Sequence, residues 1–261
     1  MEVLRIRNHL QAEKVGGQLF VFNEVGSTND VLRELIAEGS DADGTVVVSD
    51  SQTVGRGRLG RKWLSPGGMN LYLSALFRPQ VSPQESSVFT FLASCALVEV
   101  FSAYGVDAEI KWPNDILVGG KKISGVLTEL GTSDGAVNYL VIGIGINLNL
   151  PEEFIRREME DISEKTTSLS ILLGEEVNRE KFCAELINAL DRFYGEFRRR
   201  GTQAIVDMWI ERWGFVGREI SVDVSGEVIS GVVERVDATG FLYLRTDEGD
   251  LRKVITGDAV F

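Results

Sequence analysis

Thr45-Val46-Val47-Val48-Ser49-Asp50-Ser51-Gln52-Thr53-Val54-Gly55-Arg56-Gly57-Arg58-Leu59-Gly60-Arg61-Lys62-Trp63 passes from a buried-strand pattern directly into a basic, glycine-opened loop. Four positive charges, Arg56, Arg58, Arg61 and Lys62, fall within seven positions, in a chain whose net charge is -12. Glycine lets main-chain N–H groups curl round negative oxygens, and arginine forks hold carboxylate or phosphate through paired hydrogen bonds. The loop therefore reads as an anion holder. Residues 55 to 60 formally match G-x-G-x-x-G, but a dinucleotide site needs a helix opening on the last glycine. Arg61-Lys62-Trp63-Leu64-Ser65-Pro66-Gly67-Gly68 cannot open one, and no G-x-x-x-x-G-K-[ST] loop occurs in the chain. The loop instead joins two strands of a sheet, and the nicotinamide reading is rejected.

The 261 residues suffice for one large core and a small satellite domain. With 27 basic against 39 acidic residues, bulk attraction to nucleic acid or to an anionic membrane is excluded. Cys95 and Cys183 are far apart in apolar surroundings and read as buried thiols. They fit a reducing, cytoplasmic setting, and Met1-Glu2-Val3-Leu4-Arg5 carries no export signature. The apolar run Ser86 to Tyr104 contains Ser94, Glu99 and Ser102, which suits a buried helix better than a membrane span.

Outward from the loop, Phe20-Val21-Phe22 reads as a strand, and Ser27 as the cap of a helix with Asp30 in its first turn and Gly39 at its end. Asn70 to Phe77 resumes the sheet after the loop. Ala108 to Pro113 is a further strand, and Ile116 to Leu130 is a hairpin turning at Gly119-Gly120. Asn138 to Asn147 returns as a core strand with glycines at which a ligand can lie against backbone. Residues 151 to 167 are highly charged and predict a mobile cover or a weak helix. An amphipathic helix begins at Asn178, with Phe182, Leu186, Leu190, Phe193 and Phe197 on one face, and a shorter helix covers Ile205 to Trp213. Beyond Glu219 short alternating strands, separated by Ser225-Gly226, Thr239-Gly240 and Glu248-Gly249, predict a small barrel. The division expected is residues 1–215 and 216–261.

Gly-Arg-Gly-Arg-x-Gly-Arg-Lys-Trp at 55 to 63, Lys-Trp-Pro-Asn-Asp at 111 to 115, Lys122 with Gly125, and Gly-Ile-Gly-Ile-Asn at 143 to 147 together resemble the biotin protein ligase family. The resemblance implies an α+β fold: a catalytic domain like those of class II aminoacyl-tRNA synthetases, with a central mixed sheet and flanking helices, followed by an SH3-like barrel. It implies that biotin and ATP form biotinyl-5'-AMP, and that a lysine of a biotin carboxyl carrier domain then takes the biotinyl group. It assigns Lys122 and Arg58 to catalysis. Biotin falls to Ser27, Thr28, Asn29, Gln52, Arg56, Gly57, Arg58, Lys122 and Gly125, and ATP to Gly55, Arg56, Arg58, Arg61, Trp63, Lys122 and Asn147. Asp115 either positions the acceptor lysine or assists Mg²⁺. A homodimer pairing through the central sheet is also implied.

Three departures accompany the resemblance. Leu59 stands where some relatives carry another arginine, and residues 151 to 167 offer no aromatic after Phe154 to stack on adenine. Relatives that also repress transcription carry an N-terminal DNA-binding domain, for which the residues before the first strand leave no room. A lipoate or octanoate ligase of the same superfamily, and a non-enzymatic biotin sensor, are the alternative readings. A histidine base is excluded, because the single histidine, His9, lies outside every motif.

Overall fold

The computed structural model describes residues 1–39, 42–224 and 226–260; Ser225, in the first expected turn of the small domain, lies outside the described residues. In chain order the elements are α1 (Val3–Arg7), β1 (Leu19–Val25), α2 (Thr28–Ala37), β2 (Val46–Gln52), β3 (Leu71–Phe77), α3 (Val88–Ala103), β4 (Glu109–Lys111), β5 (Asp115–Val118), β6 (Lys121–Ser133) and β7 (Ala136–Ile146). There follow α4 (Glu152–Glu158), α5 (Leu169–Leu173), α6 (Arg179–Arg200), α7 (Thr202–Trp213), β8 (Glu219–Val224), β9 (Glu227–Val236), β10 (Leu242–Arg245), β11 (Leu251–Val254) and β12 (Asp258–Val260). The short helices α1 and α5 and the strand β12 have no counterpart in the sequence expectation. The charged stretch 151 to 167 forms α4 and a 3-10 turn, Glu160–Lys165.

Seven strands form a mixed sheet in the order β1-β2-β3-β7-β6-β5-β4. Only β1 and β2 run parallel. Alternation along the strands separates two faces. Val46, Val48, Leu71, Leu73, Phe77, Ile142 and Ile144 enter the large core, whereas Val47, Leu76 and Val141 join Leu32 of α2 in a smaller cluster on the opposite side. Helix α3 is apolar around its circumference because the sheet lies on one side and α6 and α7 on the other; Phe91 stacks on Trp209 of α7 with ring centroids 4.1 Å apart. It is thus a core helix, as its serines and Glu99 predict. Asn178 caps α6 by accepting the Lys181 N–H. Gly214, in the left-handed conformation, ends α7 ahead of β8.

The second sheet is antiparallel, ordered β11-β10-β9-β8-β12. Its inward residues Ile220, Val222, Val233, Leu242 and Leu244 belong to the same apolar cluster as α3 and the first sheet. The two sheets are therefore welded by a continuous core, and the Ala259 N–H donates to the Trp112 carbonyl at 3.3 Å. β12 is thereby held beside the β4–β5 turn.

Candidate active site

The N-terminus of α2 supplies the floor of the site. Ser27 has the extended backbone of a cap, but its side chain makes no capping bond. Gln52, at the end of β2, replaces it: Oε1 accepts from Thr28 N at 2.9 Å and Thr28 Oγ1 at 3.2 Å, while Nε2 donates to Ser65 Oγ at 3.1 Å. Ser74 of β3 lies beneath, with Oγ 2.7 Å from Thr28 Oγ1 and 2.5 Å from Asn29 Oδ1, and Asn29 Nδ2 donates to Glu129 at 2.7 Å. Thr28, Asn29 and Ser74 are buried, so these bonds are the condition of their being there, and they hold the polar groups in fixed directions.

Asp30 does not cap the helix. It takes the Arg56 guanidinium in a two-pronged pair at 2.6 and 2.8 Å and also bonds Arg33. The Arg56 hydrogen bonds are the main reason that the Asp30 carboxyl is held down at about 2. Arg58 reaches in another direction, donating to Asn114 Oδ1 at 2.9 Å and to Asp258 Oδ1 at 3.1 Å; Arg61 meets Asp258 Oδ2 at 2.8 Å. Lys122 Nζ is 2.7 Å from Asp115 Oδ1 and lies over the Trp63 ring, 5.3 Å from its centroid. Each of these cations is thus held by an internal carboxylate.

Strict alternation along β6 would put Lys122 and Gly125 on opposite faces. A register shift resolves this, because Ile116 pairs with Ser124 whereas the next residue, Leu117, pairs with Lys122. The extra residue, Ile123, is fully buried, and the bulge turns Lys122 to the same side as Gly125. Gly125 and Gly145 are cross-strand partners on β6 and β7. They form a slot for the indole of Trp63: a Cβ on Gly145 would meet Trp63 Cε2 at 2.4 Å, and one on Gly125 would meet Trp63 Cζ3 and Lys122 Cε at 3.2 Å. The indole N–H is buried and meets no acceptor among the described residues. Trp63 and Lys122 pack against Gly125, which itself borders the cavity.

The basic loop is a closed hairpin. Gly57 N donates to Arg61 O at 2.7 Å, and Trp63 N donates to Gly55 O at 3.0 Å. Leu59, at the tip, has φ 55° and is exposed. The Gly57 N–H is thus engaged within the hairpin. The loop also offers the guanidinium groups of Arg56, Arg58 and Arg61 to the cavity.

A cavity of about 650 Å³ collects these groups, within the usual range for small-molecule sites. Ser27, Thr28, Asn29, Gln52, Arg56, Gly57, Arg58, Arg61, Trp63, Asp115, Lys122, Gly125 and Asn147 all border it. Gly55 does not: it supports the loop from behind, where a Cβ would strike the Trp63 carbonyl at 2.4 Å. Asn147 is 3 % exposed and donates its amide to Thr167 O at 3.1 Å, so it also pins the following segment. Met159, Ile162 and Lys165 of that segment border the cavity. The segment also brings Glu158, Glu160, Asp161 and Thr166 to the cavity, so the cover is largely charged, with Met159 and Ile162 its apolar members and no aromatic among them.

Sequence reasoning missed four contributors. Asn114 lay within a quoted motif without a role, Ser74 and Glu129 sit on strands at positions that alternation alone does not mark as polar sites, and Asp258 belongs to an unexpected strand. Among the described residues, no three or more His, Cys, Asp or Glu side chains converge as metal ligands.

Residues 21–147 match the model of the biotin/lipoate A/B protein ligase family, and residues 215–261 match that of the biotin protein ligase C terminal domain. The bifunctional ligase/repressor BirA of Bacillus spizizenii is 34% identical over 254 residues, spanning 97% of this chain and 77% of its own. The biotin--[acetyl-CoA-carboxylase] ligase of Paracoccus denitrificans is 32% identical, over 82% of this chain and 89% of its own. The biotin protein ligase from Aquifex aeolicus, solved in complex with biotin and ATP, is 27% identical and superposes with a TM-score of 0.73, covering 94% of this chain and 98% of its own.

Proposed function

This chain belongs to the biotin protein ligase family, and on that premise we propose how its own residues divide the work of activating biotin with ATP and passing it to a carrier lysine. It is an ATP-dependent biotin ligase. In the first step a biotin carboxylate oxygen bonds to the α-phosphorus and pyrophosphate leaves. In the second a lysine amine attacks the carbonyl of biotinyl-5'-AMP, and AMP leaves.

The first step opposes like charges. A carboxylate and one phosphate charge about 4 Å apart repel by roughly 4 kcal/mol at an effective dielectric of 20. Lys122 is assigned the bridge between carboxylate and α-phosphate, Arg58 and Arg61 the phosphate side, and Arg56 the closure over biotin. The observation that carries this reading is their convergence on one cavity while held by Asp115, Asp258 and Asp30. Cations already gathered at the site when the substrates bind stabilise developing charge without further reorganisation at the moment of reaction. Ser27, Thr28, Asn29 and Gln52 would take the ureido head, whose donors and acceptor suit a rigid polar floor. Asn147, with Oδ1 still to offer, would meet the adenine side.

Magnesium would arrive with the triphosphate and be held largely by phosphate oxygens, with Asp115 the carboxylate beside the bridging lysine. A cytoplasmic setting, suited to two buried free thiols, belongs to the same proposal. So do a homodimer pairing through the central sheet and the division at residue 216. Incubation with ATP, Mg²⁺, biotin and a biotin carboxyl carrier domain should add one biotinyl group to the carrier, read by intact mass. A carrier unchanged with biotin but modified when lipoate is supplied would refute the assignment.

A further inference from the structure

The C-terminal sheet places one acidic side chain inside the cavity. Asp258 of β12 divides its two oxygens between two guanidinium groups, Oδ1 to Arg58 at 3.1 Å and Oδ2 to Arg61 at 2.8 Å. One anion bridging two arginines through separate oxygens is the pattern that a phosphate would make there. Arg58 gains two neutral contacts from the same turn, the Gly257 carbonyl at 3.3 Å and Thr256 Oγ1 at 3.2 Å.

A local cost accompanies this placement. Asp258 pairs directly with Asp223 across the β12–β8 ladder. Opposed like charges destabilise a strand pair. Asp223 accepts from the Gly226 N–H at 2.7 Å, and among the described residues the cations paired with Asp258 are the loop arginines. The backbone of β12 is fixed by the β8 ladder and by the Ala259–Trp112 hydrogen bond, so the carboxylate stands on a rigid base.

We propose that Asp258 is a built-in counter-anion, supplied by the C-terminal sheet, which holds Arg58 and Arg61 in place until ATP arrives and yields them to the triphosphate. The proposal rests on the ligase assignment and extends it by giving the second sheet a part in ATP binding. Because β12 is anchored, the exchange takes place at the guanidinium ends. Asp258 then stands as a like charge beside the bound phosphates and weakens their binding. It is a positioning residue that trades ATP affinity for pre-placed arginines.

The test is calorimetric titration of the biotin-saturated full chain with α,β-methylene ATP, whose α–β bridge does not cleave. Asp258→Asn should bind the analogue about tenfold more tightly, as expected for removing one nearby like charge. Its affinity for biotin should stay at the parental value. Thr256→Ala, which removes a neutral contact to the same arginine, should bring no such gain. Unchanged or weakened analogue binding by Asp258→Asn overturns the proposal, as does an equal gain in Thr256→Ala. Loss of biotin affinity together with a lowered melting temperature in Asp258→Asn overturns it also, by making the contact merely structural. A parent that releases no pyrophosphate from ATP and biotin brings down the ligase assignment itself, which distinguishes that failure from the others.

Discussion

A methyl group placed on Gly145 probes the slot that seats Trp63. Its Cβ would lie 2.4 Å from Trp63 Cε2, 2.5 Å from Nε1 and 2.7 Å from Cζ2. Ordinary carbon contacts begin near 3.5 Å, so one partner must retreat by about 1 Å. Gly145 sits on β7, paired on both sides by β3 and β6, and cannot move far. Trp63 is half-buried on a loop and can. The stability cost of Gly145→Ala should therefore fall at the low end of overpacking, about 1 kcal/mol, or roughly 2–4 °C in melting temperature. Catalysis should suffer more. The indole carries Lys122 on its face and leads directly into Arg61 and Arg58, and a 1 Å misplacement of such groups costs about 10²-fold in rate. The assay is pyrophosphate release with saturating biotin and ATP, beside thermal unfolding of the same preparation. A double-mutant cycle supplies the control: in a Trp63→Ala background the extra methyl should be nearly silent. A Gly145→Ala enzyme with parental rate, or an equal loss with and without Trp63, would refute the slot.

Lys122→Ala should retain its fold, since the ammonium is partly exposed, but lose at least about 10²-fold in pyrophosphate release; parental release would remove Lys122 from the bridge. Arg58→Gly should shorten the dwell time of biotinyl-5'-AMP about tenfold or more, the usual worth of a lost charged hydrogen bond. Dwell times equal to those of the parent, followed by rapid filtration, would count against it. The Asp30 carboxyl is depressed from 3.8 to about 2 chiefly by Arg56, so the folded state binds fewer protons than the unfolded one in that interval. Its contribution is complete above about pH 4 and lost as the pH falls toward about 2. Screening at this half-exposed site limits it to about 1 kcal/mol or less. Asp30→Asn should accordingly flatten the acid limb of stability measured by denaturant unfolding, and an unaltered slope would show that the pair contributes nothing.

The strands and long helices were legible because the period of the apolar residues and the glycine punctuation agree along most of the chain. Phe182 to Phe197 mark α6, and Val46 to Val48 mark β2. The cations of the site were legible as residues but not as geometry. Nothing in Lys121-Lys122-Ile123-Ser124-Gly125 announces that Ile123 is an extra residue in its ladder, yet that bulge is what brings Lys122 and Gly125 to one side. Ser27 looked like a cap and is one in backbone only, because Gln52 reaches its helix from the neighbouring strand. Gly57 looked like a source of main-chain donors, and the engagement of its own N–H within the hairpin was not legible. Asp258 carried no local signal, since its meaning depends on a strand two hundred positions from its partner.

That separation also sets an order of assembly. Arg56 finds Asp30 across 26 residues and Lys122 finds Asp115 inside one hairpin, whereas Arg58 finds Asp258 across 200. Closing so long a loop is entropically late, and contacts of this kind form after the local ones. During refolding, far-ultraviolet signal should therefore recover first. The capacity to activate biotin should follow in a slower phase, timed by the docking of a small sheet that contains none of the arginine or lysine side chains it completes.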